Sequence, residues 1–202
     1  MAEAPFPKEL TKKYKPEHVL GSGANGVVYR AQRLFDNRLV AIKVLSETSP
    51  DPAAVDRFAR EAKIARQDLH PSFVQVFESG VANGCHYIVS ELVTGQTLRS
   101  FINLKGKLNE RRTLEIGAEV AACLGKLHEI GIVHRDIKPE NIMLDEQGRV
   151  RVLDLGIARM ADSGDRLTKT GMIVGTILYL APEQCRFREA KPAADVFALG
   201  LV

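Results

Sequence analysis

Between His134 and Asn141 the chain reads His-Arg-Asp-Ile-Lys-Pro-Glu-Asn, and Asp154-Leu155-Gly156 follows a short way on. No other stretch constrains the fold as tightly, because these polar groups are useful only if one framework holds them together. Asp136 can accept a hydrogen bond from an incoming hydroxyl, and Lys138 can meet an anionic phosphate oxygen. Asn141 and Asp154 offer hard oxygens of the kind Mg²⁺ prefers, alongside water and phosphate. Transfer of a phosphoryl group from Mg-ATP to a hydroxyl asks for this set. It needs little covalent chemistry from the protein, whose work is positioning and charge neutralisation.

The rest of the chain agrees in order. Gly21-Ser22-Gly23-Ala24-Asn25-Gly26-Val27-Val28 is a glycine-rich loop, where missing Cβ atoms let backbone approach phosphates. The same spacing serves dinucleotide-binding folds, but there the loop opens a helix. Here Val27-Val28-Tyr29 is β-branched and aromatic, so the loop is expected to join two strands. Leu39 to Leu45 then forms an apolar strand carrying one lysine, Lys43. That lysine either sits at a solvated edge or grips phosphates, and Val40-Ala41-Ile42-Lys43 spells the strand motif of the second case. A helix is expected from about Ala53 to Leu69, with Val55, Phe58, Ala62, Ala65 and Leu69 on one apolar stripe. Glu61 lies at the edge of that stripe, solvated or turned inward to pair with Lys43.

With these motifs in place, the chain resembles the eukaryotic-type (Hanks-type) serine/threonine protein kinases from near Tyr14 to its last residue. The wording Asp154-Leu155-Gly156-Ile157-Ala158-Arg159 and Tyr179-Leu180-Ala181-Pro182-Glu183-Gln184 resembles the bacterial branch. Lys138 within Asp-Ile-Lys-Pro-Glu-Asn points to serine and threonine substrates. The fold implied is α+β and bilobal: an antiparallel β N-lobe with one helix, and a mainly α-helical C-lobe, with ATP in the cleft. Residues 1–13 would be an N-terminal extension, about 14–90 the N-lobe, 91–95 the hinge and 96–202 a partial C-lobe.

Carried over position by position, the resemblance implies catalytic roles for Asp136, Lys138, Lys43 and Glu61. ATP would be held by Leu20, the loop from Gly21 to Val28, Ala41, Met143 and the hinge, through the Glu91 carbonyl and the Val93 amide. Ser90 falls at the gatekeeper position. Asn141 and Asp154 would hold Mg²⁺ or Mn²⁺. Ala65, Val76, His134 and Leu155 fall where the family stacks its regulatory spine. The activation segment would run from Asp154 to Glu183. Within it Thr168 and Thr170 are either phosphosites that pair with Arg135 or ordinary polar loop residues. Thr176 resembles the substrate-docking threonine. Glu183 and Asp195 would be structural, Asp195 bracing the catalytic loop. Thr97 stands where arginine-directed relatives often carry an acid, which argues against that preference.

Composition sets outer bounds. With 28 Lys and Arg against 25 Asp and Glu, the net charge of +3 gives no case for nucleic-acid or membrane partners. Cys85, Cys123 and Cys185 show no metal or redox spacing and read as three thiols in a reducing cytoplasm. No stretch reaches the ~20 apolar residues a membrane span needs, although a parent protein could be tethered through a further region. Lys12-Lys13-Tyr14-Lys15 reads as a solvated start to the first strand. A long helix from Asn109 to Ile130 should bury Leu114, Val120, Ala121, Leu124 and Leu127, capped by Asn109 and stopped at Gly131.

Against the family pattern the chain stops at Val202, inside what resembles the opening of a central C-lobe helix. An incomplete C-lobe is therefore expected. Three functions remain open: a Mg-ATP-dependent kinase with protein substrates, autophosphorylating as a homodimer; a nucleotide-binding pseudokinase or scaffold; or a non-functional truncated fragment. Lys43, Glu61, Asp136, Lys138, Asn141 and Asp154 are all retained, which favours the first.

Overall fold

The computed structural model describes residues 5–23, 26–45, 69–153, 178–186 and 190–202. The chain divides into two compact units, Met1–Gln67 with Gln75–Leu92 and Asp68–Val74 with Val93–Val202. The expected helix over 53–69 lies outside the described residues, apart from Leu69.

In the first unit, β1 (Tyr14–Gly23), β2 (Gly26–Arg33), β3 (Leu39–Val44), β4 (Val76–Ala82) and β5 (Cys85–Glu91) form an antiparallel sheet in the order β1-β2-β3-β5-β4. The strands form because β-branched and aromatic residues alternate over the pleat. Val27, Tyr29, Ala31, Val40, Ile42, Val44, Tyr87 and Val89 fill one core. Gly26, with φ 121°, ends the glycine loop against β3, where a Cβ would overlap the Val44 carbonyl oxygen.

The segment before β1 packs onto the same core. Leu10 of the 3-10 turn Lys8–Lys12 is buried, and the Phe6 ring meets Tyr29 edge-on at 5.2 Å. Glu9 and Asn83, at the β4–β5 turn, exchange hydrogen bonds: the Glu9 N–H donates to Asn83 Oδ1 and the Asn83 N–H to Glu9 Oε2. The reading of Lys12 to Lys15 as solvated is corrected at Tyr14, which is 2% exposed. Its hydroxyl donates to Glu78 Oε2 at 2.9 Å, and Lys13 pairs with Glu78 Oε1 at 2.8 Å. A tyrosine can bury its ring if its hydroxyl finds a partner.

The second unit holds β6 (Gly95–Thr97), β7 (Ile142–Asp145) and β8 (Val150–Val152) in one antiparallel sheet, with α1 (Leu98–Lys105), α2 (Glu110–Glu129), α3 (Pro182–Cys185) and α4 (Pro192–Gly200). Phe73 makes a parallel bridge to Val152, which joins Asp68–Val74 to this unit. The α2 boundaries match the sequence reading. The Asn109 carboxamide oxygen accepts from the Arg112 N–H at 2.8 Å, and Gly131 has φ 76° just past the end.

The buried stripe of α2 differs from expectation. Ile116, Val120, Cys123, Leu124 and Leu127 face inward, whereas Leu114 is 66% exposed and Ala121 is exposed too. At about 100° per residue, Ile116, Val120, Cys123, Leu124 and Leu127 stay on one face, and Leu114 and Ala121 fall well off it.

Candidate active site

The acceptor end of the candidate site is built within the second unit. The loop after α2 runs into a 3-10 turn at Pro139–Asn141 and then into β7. Asp136 is 9% exposed, and its Oδ2 takes two hydrogen bonds: from Lys138 Nζ at 2.9 Å and from Asn141 Nδ2 at 2.9 Å. The same Asn141 nitrogen donates to the Asp136 main-chain carbonyl at 2.8 Å. With Nδ2 committed to Asp136, the carbonyl oxygen Oδ1 is the end of Asn141 left to ligate a cation. That oxygen is the donor type Mg²⁺ takes. The Leu153 N–H donates to the Asn141 main-chain carbonyl at 2.8 Å, so the chain just ahead of Asp154 is tied to this turn. Asp154 itself lies outside the described residues.

The loop is braced from below. His134 is fully buried, and its Nε2–H donates to the Leu153 carbonyl at 3.0 Å while Nδ1 accepts from the Asp136 N–H at 3.3 Å. Asp195, 1% exposed on α4, accepts from the backbone N–H groups of His134 at 2.8 Å and Arg135 at 2.7 Å, and from His128 Nε2 at 2.8 Å. Asp195 thus meets the backbone of this loop through direct hydrogen bonds. Gln184, beside Glu183 on α3, donates from Nε2 to the Arg135 carbonyl at 3.2 Å, which ties that short helix to the loop.

In the first unit, strand register puts the expected nucleotide-side residues on one face of the sheet. Val28 pairs with Gly21 and Lys43, and Ala41 pairs with Ser90. Directly paired residues share a face, so Val28, Ala41, Lys43 and Ser90 lie opposite the buried set of Val27, Tyr29, Ile42 and Val89. A register shift between Val19 and Gly21 sets Leu20 apart in β1, and it is 47% exposed. Among the described residues, a Cβ at Gly21 or Gly23 would meet nothing within 4 Å. Ser22 is exposed between them. Glu91 belongs to the first unit, and Val93 and Met143 to the second. Ala24, Asn25, Glu61, Thr168, Thr170 and Thr176 lie outside the described residues, as do Ala65 and Leu155.

One contact at this end has no sequence signal. Arg99 on α1 donates from Nε to Glu140 Oε1 at 2.8 Å and from Nη2 to the Tyr179 hydroxyl at 2.7 Å. The partners are separated by 41 and 80 residues, beyond any local periodicity.

The family model described as "Protein kinase domain" matches residues 14–202. Serine/threonine-protein kinase PknB of Mycolicibacterium smegmatis is 41% identical over 97% of this chain and 32% of the relative. Serine/threonine-protein kinase PrkC of Bacillus subtilis is 37% identical over 96% of this chain and 30% of the relative. The chain therefore spans about a third of the length of these curated relatives. A crystal structure of Rad53 1-466 in complex with AMP-PNP superposes with a TM-score of 0.76 at 27% identity, covering 95% of this chain and 47% of that one. The fold is the protein kinase fold, and the chain belongs to the protein kinase family.

Proposed function

We propose that this chain is the catalytic part of a serine/threonine protein kinase that transfers the γ-phosphoryl group of ATP to protein hydroxyls. The observation that carries the reading is the convergence of Lys138 and Asn141 on one oxygen of Asp136, with Asp195 fixing the backbone beneath. Such a carboxylate is oriented to receive the hydrogen bond of an incoming hydroxyl and then its proton. Lys138, 2.9 Å away, can follow the transferring phosphoryl group. Asn141, with Asp154, would hold Mg²⁺ or Mn²⁺, whose contribution is to neutralise charge on the phosphate oxygens.

Nucleotide binding falls to the sheet face of Val28, Ala41, Lys43 and Ser90, with Leu20, the loop from Gly21 to Val28, Glu91, Val93 and Met143. Rad53, a similar protein, was crystallised with AMP-PNP, which supports an ATP site. Glu61 is proposed as the partner of Lys43, Thr168 and Thr170 as sites of autophosphorylation between two copies, and Thr176 as a substrate-side contact. No helix among the described residues is long and apolar enough to cross a membrane. A cytoplasmic location is proposed for this part, since it consumes ATP.

The test is transfer of labelled phosphate from Mg-ATP to a generic protein substrate by the full-length protein, with Asp136→Asn alongside. Loss of a positioned general base costs about 10²–10⁴-fold. Equal incorporation by Asp136→Asn, or none by the unaltered protein, would sink the reading.

A further inference from the structure

The Arg99 contact points to how substrates are chosen, and the inference rests on the proposed function. Glu140 sits on the same 3-10 turn as Asn141, whose side chain touches Asp136. Tyr179 lies in the stretch just ahead of α3, which Gln184 ties to the Arg135 carbonyl. Arg99, Glu140 and Tyr179 therefore border the acceptor end of the site, where a peptide presenting its hydroxyl to Asp136 must lie. Leu178, beside Tyr179, is 69% exposed there.

A carboxylate in that position is a ready partner for a basic residue of the substrate. In this chain it is already taken. The Arg99 side chain is 34% exposed and that of Glu140 is 42% exposed, so both reach solvent. Among the described residues Arg99 makes the sole ion pair to Glu140, and Glu140 Oε2 is shielded with no hydrogen-bond partner. The charge of Glu140 is thus offset by this one guanidinium, which the Tyr179 hydroxyl steers from its far end. Arginine's planar fork suits such a two-partner contact better than a lysine would.

We infer that Arg99 is a specificity-determining residue: by occupying Glu140 it denies that carboxylate to basic residues flanking the accepting hydroxyl. A substrate arginine would have to displace an internal arginine of equal chemistry, so it gains nothing. It would also be repelled by the cation already there. Removal of Arg99 would turn an occupied carboxylate into an open one and create a preference for arginine that the parent sequence lacks.

The experiment uses the full-length protein and one serine or threonine peptide, with Arg or Ala placed in turn at each position flanking the acceptor. The readout is the ratio of kcat/KM for the Arg peptide to that for the Ala peptide, which a purely structural role of Arg99 would leave unmoved. In the unaltered protein the ratio is expected at or below unity. In Arg99→Ala it should rise roughly fivefold at one or two positions, the scale of a partly exposed ion pair. In Arg99→Ala combined with Glu140→Gln it should fall back. Arg99→Gln, which keeps length without charge, carries the same expectation should Arg99→Ala fail to fold. An unchanged ratio in an active Arg99 variant would overturn the inference, as would a gain that survives Glu140→Gln. Failure of the unaltered protein to phosphorylate any peptide or generic protein would remove the proposed function, and this with it.

Discussion

The carboxylate of Asp195 accepts a hydrogen bond at 2.7 Å from the backbone N–H of Arg135, a residue held at φ 69°. Left-handed backbone at a residue with a side chain costs on the order of 1–3 kcal/mol and persists only where its surroundings enforce it. Asp195 is that enforcement, since it also takes the N–H of His134 and the ring of His128.

Asp195→Ala would strand these donors in a buried place, at about 1–3 kcal/mol each. The backbone strain at Arg135 would then be unopposed. A net loss of about 3 kcal/mol is expected, read as a fall of about 6–12 °C in Tm. Asp195→Asn should fall between, because its amide nitrogen cannot accept. A Tm within about 2 °C of the parent for Asp195→Ala would refute the account.

Gly26 and its neighbours in the loop separate by cause. At Gly26 both the positive φ and the Val44 carbonyl forbid a side chain, so Gly26→Ala should destabilise the first unit and lower Tm even without nucleotide. Around Gly21 and Gly23 the described residues leave room for a Cβ. Gly21→Ala and Gly23→Ala should leave Tm nearly unchanged and weaken ATP binding instead. Melting curves with and without ATP divide the two effects, since a ligand bound only by the folded state raises Tm. An equal loss of Tm at all three positions would contradict this.

What could be read from the sequence follows the range of the interactions. The loop from His134 to Asn141 was legible because the chemistry proposed for it fixes residue types within eight consecutive positions. β-Branched and aromatic residues gave β2, an apolar run gave β3, and a cap and a glycine gave both ends of α2. Resemblance to a family supplied the bracing role of Asp195, which spacing could not have done across 60 residues. Arg99 with Glu140, and Tyr14 with Glu78, were invisible because side chains paired across 41 and 64 residues leave no periodic trace. The misassignment of Leu114 and Ala121 came from counting apolar residues without fixing their phase on the helix.

The Glu78 cluster sets a pH window. Burial pushes the Glu78 carboxyl up, but hydrogen bonds from Lys13, Tyr87 (2.5 Å) and Tyr14 outweigh it and hold the group below the usual carboxylate range. A depressed carboxyl contributes stability above its unfolded pKa of about 4.3 and loses it as pH falls through the folded value. Tyr14 shifts the other way: burial, then its bond to Glu78, raises it. Its contribution is present below about pH 10 and is lost as pH climbs toward the raised value. The Tm gap between the parent and Glu78→Gln should be widest between about pH 5 and 9 and close below about pH 4. A gap independent of pH would mean that the charge is not what matters.

The three thiols should react in a fixed order. Cys123 is 1% exposed, and burial pushes its thiol up to about 12. At pH 8 only about one part in ten thousand would be thiolate, the form that attacks. Cys85 is buried as well, while Cys185 on α3 is exposed. Iodoacetamide at pH 8 should therefore modify Cys185 first, with Cys85 and Cys123 following only in denaturant. Peptide mass spectrometry reads the order directly, and early labelling of Cys123 would contradict its place in the α2 core.

Asn141 Nδ2 bonds Asp136, and Oδ1 is the end proposed for the cation, so substitutions can divide the two roles. Asn141→Ala loses the candidate metal ligand and both bonds to Asp136, so kcat should fall by about 10²–10³-fold. Raising Mg²⁺ should recover only part of this, because saturating the metal does not restore the orientation of Asp136. Asn141→Asp supplies two hard oxygens and should bind the cation more tightly than alanine does. It also replaces an N–H donor by a carboxylate about 2.9 Å from Asp136 Oδ2, where like charges repel. The aspartate variant should therefore need less Mg²⁺ for half-maximal rate than Asn141→Ala yet keep a depressed kcat. Full recovery of kcat in Asn141→Asp would mean that Asn141 acts through the metal alone and that its hydrogen bonds to Asp136 contribute little to the rate.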